Sequence, residues 1–513
     1  MNLLPKKLLV SFTVALMGIL LVARYFDRAL FFGIALVAVL TLITLGIFYV
    51  CGIRDKRLYG LFFLTLVIHA AAVLFFYYAK FQPFGEGDFI HYQQTAEQIA
   101  QRFGHGIFSW DGLWVPHGYP VLIGIIYTLT VPSMLVGQLF SAWLAALSVA
   151  LVFLLIMEMS SSKEWPVAIG LIMAVYPSYL FFGGLLLKDT VIIPLVISGI
   201  LVSLKMFKSF SWPKFMLFFA ILTALIHLRF YVGFALMFSF IISWFLISNF
   251  TAKQRLGYGA IMVFLLGFSP WLLHYGYFGS IPLKGYLNEK TIVSYREVVY
   301  APNPVAPPPA PAPPPVVAKP VLLPTATVVT PAPPPSPSPE PPKKNYCEDC
   351  PLKDQGVGSS FVVHTDFHNP IKFAYNYFVS FTYSLLGPFP WQIRHARQIL
   401  ALVETIPWYF LIGLFIYGLA KSFAAEGFLK TAKRYTVGIP LFLFALMSLG
   451  ALSLFIANFG IIARIRMPSL IILLCLISLD QWSSGILKKV FHSYATTFTG
   501  FHRVSLVRKR SEQ

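Results

Sequence analysis

Acidic residues are scarce in this 513-residue chain: 20 Asp and Glu stand against 39 Lys and Arg, and charged residues of all kinds make up only 12%. A soluble globular enzyme draws about a quarter of its residues from the charged set, so that class is excluded. Cysteine is nearly absent, with four in all. No internal repeat is visible, which argues against the paired halves common in transporters. What is present is apolar sequence. Hydrophobic residues make up 57%, arranged in repeated runs of about 20, the length needed to cross roughly 30 Å of hydrocarbon. The chain reads as an all-α polytopic membrane protein, since each spanning segment must satisfy its own backbone groups. Its formal charge of +19 falls mostly in short segments between apolar runs and in the C-terminal tail. That distribution is an orientation signal, with anionic-lipid contact by the tail, and not a nucleic-acid footprint.

The topology follows from the basic residues. Lys6 and Lys7 precede a first apolar run at 8–23, a second covers 29–50, and a third, 58–80, begins after Arg54, Asp55, Lys56 and Arg57. The N-terminus and that basic loop are therefore expected in the cytoplasm. The first run ends at Leu21, Val22 and Ala23, a poor cleavage signal, and two spans follow directly, so it is read as retained rather than as a signal peptide. Lys205, Lys208 and Lys214 mark a second cytoplasmic loop, Lys253 and Arg255 a third, and Lys421, Lys430, Lys433 and Arg434 a fourth. Further spans fit at 134–158, 166–184, 190–206, 213–229, 231–249, 257–277, 398–420, 436–457 and 467–481, which gives about twelve. Residues 118–131 are left as a short or partly inserted helix. The C-terminus, with Lys488, Lys489, Arg508, Lys509 and Arg510, ends inside. This is the layout of an inner, cytoplasmic-membrane protein with both termini cytoplasmic.

The resulting organisation has seven parts. Residues 1–80 hold three spans, 81–117 a first outer loop, 118–277 a membrane core, 278–370 a second outer loop, 371–397 a surface or re-entrant helix, 398–481 the last spans, and 482–513 a basic tail. In the first outer loop, Tyr92, Ala96, Ile99, Ala100 and Phe103 recur at helical spacing, with Asp88 placed to cap that helix and Gly104 to end it. Residues 301–342 carry 19 of the 37 prolines; such a tract favours polyproline II and reads as a spacer or a docking arm.

Cys51 and Cys475 read as packing residues in or beside spans. Cys347 and Cys350 form a C-x-x-C, followed by His364 and His368 at a spacing that fits tetrahedral zinc. An oxidising compartment favours a disulfide between the two cysteines instead, and a pair with neither role is the third reading.

Six basic residues are expected on the face opposite the cytoplasmic loops: Lys188, Arg229, Arg394, Arg397, Arg464 and Arg466. Each has a structural explanation. Lys188 and Asp189 can neutralise one another, Arg229 can snorkel to headgroups, and His117 can simply open a helix before Gly118, Tyr119 and Pro120. Together they point to a bound anion, because guanidinium groups hold phosphate through paired hydrogen bonds. Glu86, Asp88, His91, Asp111, His117, His395 and Glu404 are further polar candidates on that side.

An acidic residue in the first outer loop, an amphipathic helix, and then Pro116, His117, Gly118, Tyr119 and Pro120 resemble the GT-C class of membrane glycosyltransferases that use polyprenyl-phosphate sugars. Within that class the chain is similar to bacterial members of the protein mannosyltransferase and aminoarabinose transferase type. The likeness covers roughly 60–250. Tyr176, Pro177 and Ser178, the pair Lys188 and Asp189, the run Leu228 to Tyr231, Gly387 to Trp391, and Asn458 to Pro468 add to it. The resemblance implies a polyprenyl-phosphate-linked sugar as donor, a glycan, lipid or protein as acceptor, and a role in cell-envelope glycosylation or polysaccharide biosynthesis. It gives Asp88 or Glu86 the catalytic role, and it admits a divalent metal ion at that acidic pair. Lys188, Arg229, Arg464 and Arg466 would hold the phosphate, with His91, His117, Tyr119 and Asp189 around the substrate. A repeat-unit polymerase or ligase and a non-catalytic transporter or flippase are the alternatives.

Overall fold

The computed structural model describes residues 17–81, 87–113, 115–268, 288–293, 369–392, 399–456 and 459–480. Glu86, Arg394, His395, Arg397, the proline-rich tract, Cys347, Cys350, His364, His368 and the basic tail lie outside the described residues. Among the described residues every regular element is helical. In chain order these are α1 (Met17–Phe26), α2 (Arg28–Val50), α3 (Lys56–Tyr78), α4 (Asp88–Gly104), α5 (Tyr119–Leu129), α6 (Met134–Met159), α7 (Trp165–Val175) and α8 (Pro177–Gly183). There follow α9 (Asp189–Lys208), α10 (Trp212–Ile247), α11 (Ala252–Val263), α12 (Glu289–Val293), α13 (Pro370–Leu386), α14 (Ile399–Glu426), α15 (Phe428–Tyr435), α16 (Ile439–Phe455), α17 (Phe459–Ile465) and α18 (Met467–Leu476).

Among the described residues seven helical stretches are long and apolar enough to cross a membrane, with α15, α16 and the turn between them counted as one, or eight if the bent pair α7 and α8 forms one span. The chain is therefore a polytopic helical membrane protein. Around α6 the packing is dense: α2, α3, α7 and α9 all touch it. Its small buried residues, among them Ser141, Ala142, Ala145, Ala146, Ser148 and Ala150, let neighbouring backbones approach. Ser141 and Ser148 donate their hydroxyls to the carbonyls of Gly137 and Leu144 one turn back, so neither is left unsatisfied. By contrast α2 exposes most of its apolar surface, as expected of a helix that faces lipid tails.

The 36-residue α10 is a hairpin. A straight helix would separate Phe218 from Phe240 by about 33 Å, yet their ring centroids are 4.4 Å apart. The reversal falls at Arg229, whose backbone leaves the helical region at φ −162° and ψ 93°. A Cβ added at Gly233 would lie 2.9 Å from the Ile226 backbone nitrogen, so glycine is what lets the two arms touch near the turn. Each arm is about 25 Å long, and the apex presents Arg229 at one end of the bundle. The reversal agrees with the separate segments 213–229 and 231–249 read from the sequence.

Other segments depart from expectation. The run 467–481 is a short helix continued by a 3-10 turn to Leu479. The span read at 166–184 bends by 60° between Val175 and Pro177, because proline disfavours the helical conformation of the residue before it. Over Pro370–Leu386 the usual pattern is inverted: Ser380 and Ser384 are buried while Ile371, Tyr375 and Phe378 are exposed. That helix packs on α16, where its Tyr377 hydroxyl would lie 2.6 Å from a Cβ at Gly450. Cys475 is fully buried, but Cys51 is exposed at the end of α2 and is not a packing residue.

Candidate functional site

Five charged side chains from four separate parts of the chain meet at one end of the bundle. The amphipathic helix α4 buries Phe89, Tyr92, Ala96, Ile99 and Ala100 on one face. It seats that face on α5, where a Cβ at Gly124 would come within 2.6 Å of Ile99 Cγ2. This close seating fixes the first turn of α4 and therefore Asp88. Sequence spacing made Asp88 the cap of its own helix, but Gly87 occupies that position and Asp88 makes no cap hydrogen bond. Its carboxylate instead accepts from the guanidinium of Arg464, with Oδ2 at 2.9 Å from Nη2.

Arg464 stands in the last turn of α17, and Asp88 and Asp189 stand in the first turns of α4 and α9. Each charge has the sign that its helix end favours. The Nε of Arg464 lies 3.0 Å from Asp189 Oδ2. Asp189 Oδ1 lies 2.8 Å from Nη1 of Arg229 at the hairpin apex. The result is a chain of ion pairs running Asp88, Arg464, Asp189, Arg229. The chain is sealed at its Arg229 end, with the Arg229 and Asp189 side chains both 6% exposed, whereas Asp88 at the other end is 49% exposed. Burial alone would lower the pKa of Arg464, but Asp189 and Asp88 beside it hold that pKa above its usual value, so it stays charged.

Lys188 completes the group. It is 7% exposed and feels the charges of Arg229, Asp189, Arg464 and Asp88. The expected pairing of Lys188 with Asp189 is not a direct ion pair: Asp189 is committed to two arginines, although its charge still favours the protonated ammonium. Among the described residues the Lys188 ammonium has neither an ion-pair partner within 4.0 Å nor a side-chain hydrogen bond. Burial, and after it the Arg229 charge, push Lys188 down to about 7. A buried cation without a partner is costly unless a ligand supplies the missing anion.

His117 lies at the rim, against the backbone of His227, within reach of Lys188, Arg229 and Asp88. Its backbone is left-handed at φ +60°, followed by Gly118 at φ +68°, a conformation rare for a residue with a side chain and concentrated at functional sites. The ring is exposed, yet the protein crowded around it, and then Lys188 and Arg229, push it down to about 4, so it is neutral at pH 7. His91, one turn after Asp88 on α4, is exposed on the same helix.

Two expected members are placed elsewhere. Tyr119 is fully buried, edge-on to Tyr92 at 5.2 Å, and packs beneath the cluster. Arg466 is buried and already paired. Its Nη2 lies 3.3 Å from Glu404 Oε1, and Nη1 donates to the carbonyl of Gly387, with that of Ser384 at 3.5 Å. Ser178, just after the bend between α7 and α8, donates to the other oxygen of Glu404. This second, sealed network ties α8, α13, α14 and the α17–α18 junction together two residues from Arg464. Tyr92, which the sequence offers only as part of an apolar stripe, also stands near the cluster, its phenol held above its usual value by burial and then by Asp88. Its place one turn after Asp88 was the available signal.

Among the described residues no group of three or more His, Cys, Asp or Glu could hold a metal ion. Asp88 and His91 are the nearest pair on α4, and Asp88 is engaged by Arg464; a divalent ion at the acidic pair would draw its second carboxylate from Glu86. No family model matches the chain, and neither a curated protein nor a solved structure is found to be similar to it.

Proposed function

We propose that the protein is a membrane glycosyltransferase that moves one sugar from a polyprenyl phosphate to a glycan, lipid or protein acceptor at the outer face of the cytoplasmic membrane. The observation that carries this reading is the convergence of Asp88, Lys188, Asp189, Arg229 and Arg464, up to 376 residues apart in sequence, on one cluster at one end of the bundle. A transporter site is expected near the bilayer midplane. Here the cluster is built from helix ends and a hairpin apex, where a lipid headgroup would arrive.

Charge supports a phosphate monoanion. Among the described residues, Lys188, Arg229 and Arg464 supply three positive charges and Asp88 and Asp189 two negative ones, which leaves one positive charge when Lys188 is protonated. A sugar phosphodiester carries one negative charge, whereas the diphosphate-linked donor of a polymerase carries two. In the reaction, the acceptor oxygen forms a bond to the anomeric carbon as the bond from that carbon to the phosphate oxygen breaks. The electron pair leaves on the lipid phosphate, where Lys188 and the two arginines stabilise the growing charge. The acceptor proton passes to the Asp88 carboxylate.

The test is transfer from a radiolabelled polyprenyl-phosphate sugar by purified protein in lipid. One added monosaccharide is expected, and Asp88→Asn is expected to abolish it without altering membrane insertion. A ladder of repeats identifies a polymerase, and full activity of Asp88→Asn removes that residue from the chemistry.

A further inference from the structure

Arg464 is held between two carboxylates that differ in one respect. Asp189 is buried, forms an ion pair with a second arginine, and starts a helix whose body is packed against α6 and α10. Asp88 is half exposed and has Arg464 as its ion-pair partner among the described residues. Arg464 occupies Oδ2 of the Asp88 carboxylate, an oxygen that would otherwise be open to an acceptor proton. In this arrangement the proposed base is therefore restrained. Beside it stands Lys188, a buried ammonium with no anion of its own among the described residues.

Building on the proposed function, we propose that Asp189 is the fixed positioning residue of the site and Asp88 the exchangeable one: the phosphate of a lipid-linked donor takes the place of Asp88 on Arg464, sits against Lys188, and so releases Asp88. Asp189 sets the spacing between the guanidinium groups of Arg229 and Arg464, and touches neither donor nor acceptor. Phosphate wins the exchange because it adds the Lys188 contact that Asp88 does not make, and because the exposed carboxylate recovers its hydration when it lets go. The donor then binds before Asp88 can activate an acceptor, which fixes the order of substrates. No covalent step is involved; one anion replaces another.

The experiment measures binding of farnesyl phosphate to the full-length protein in detergent micelles by calorimetry, with farnesol and inorganic phosphate as separate arms. Simple electrostatics predicts that removing either carboxylate tightens anion binding. The exchange predicts opposite signs: Asp88→Asn tightens farnesyl phosphate binding about three- to tenfold, and Asp189→Asn weakens it tenfold or more. If Asp189→Asn is not recovered folded, Asp189→Glu, which keeps the charge but shifts it by one methylene, is expected to weaken binding as well. Weaker or unchanged binding in Asp88→Asn overturns the exchange, as does tighter binding in either Asp189 variant. Farnesol is expected not to bind, and binding of inorganic phosphate with equal affinity would overturn the lipid-linked ligand. Opposite signs without sugar transfer would sink the glycosyltransferase reading and leave the exchange standing; sugar transfer with matching signs would do the reverse.

Discussion

Replacing Lys188 with methionine tests the electrostatics of the cluster most directly. Methionine has nearly the length and apolar stem of lysine without the ammonium, so Lys188→Met removes the buried charge and leaves the packing largely in place. Moving a lysine from 10.5 in the unfolded chain to about 7 in the fold corresponds to a cost of about 4 kcal/mol at pH 7. The sign follows from proton counts. Between about 7 and 10.5 the unfolded chain binds the proton and the folded protein does not, so stability rises with pH across that window. The penalty is complete below about 7 and gone above 10.5. Lys188→Met is therefore expected to stabilise the ligand-free protein by about 2 to 4 kcal/mol at pH 7, less than 1 kcal/mol of which remains near pH 10. Thermal unfolding in detergent, followed by tryptophan fluorescence, reads this as a higher melting temperature that converges on the wild type as pH rises. Farnesyl phosphate should stabilise the wild type and not the variant. A melting temperature below that of the wild type at pH 7, or a gain equally large at pH 10, would refute the claim that Lys188 lies buried without a counter-ion among the described residues.

Three further outcomes follow from the same geometry. Phosphate affinity should fall as pH rises from 6 to 9, because Lys188 must be protonated to bind an anion; Lys188→Arg should flatten that profile, measured by calorimetry, whereas His117→Gln should leave it unchanged because His117 is already neutral. Glu404→Ala, which strips the buried Arg466 of its carboxylate, should destabilise the protein by about 3 to 5 kcal/mol in thermal unfolding. Gly124→Val should loosen α4 from α5 at a cost of about 1 to 3 kcal/mol and raise hydrogen exchange across Asp88–Gly104, since even a Cβ at this position meets Ile99 at 2.6 Å.

The membrane class, the helical content, the amphipathic helix over 88–104 and the reversal near Arg229 were all legible in the sequence, because each depends on local composition and spacing. Apolar runs of spanning length need lipid, a 3.6-residue stripe needs one covered face, and a basic residue between two apolar runs marks a turn. The sequence also placed Asp88, Lys188, Arg229 and Arg464 among the polar residues of one side. It could not assign their partners. Asp88 suited a helix cap and Lys188 suited Asp189 by proximity along the chain, while Arg464 and Arg466, two residues apart, looked equivalent. Tertiary packing decided otherwise, because ion pairing in a low-dielectric interior is set by distance through space. The seating of α4 on α5 brings Asp88 to Arg464, the hairpin apex brings Arg229 to Asp189, and the bend at Pro177 brings Ser178 to Glu404, which claims Arg466. Lys188 is left as the buried cation with no counter-ion among the described residues, and only the assembled structure reveals it.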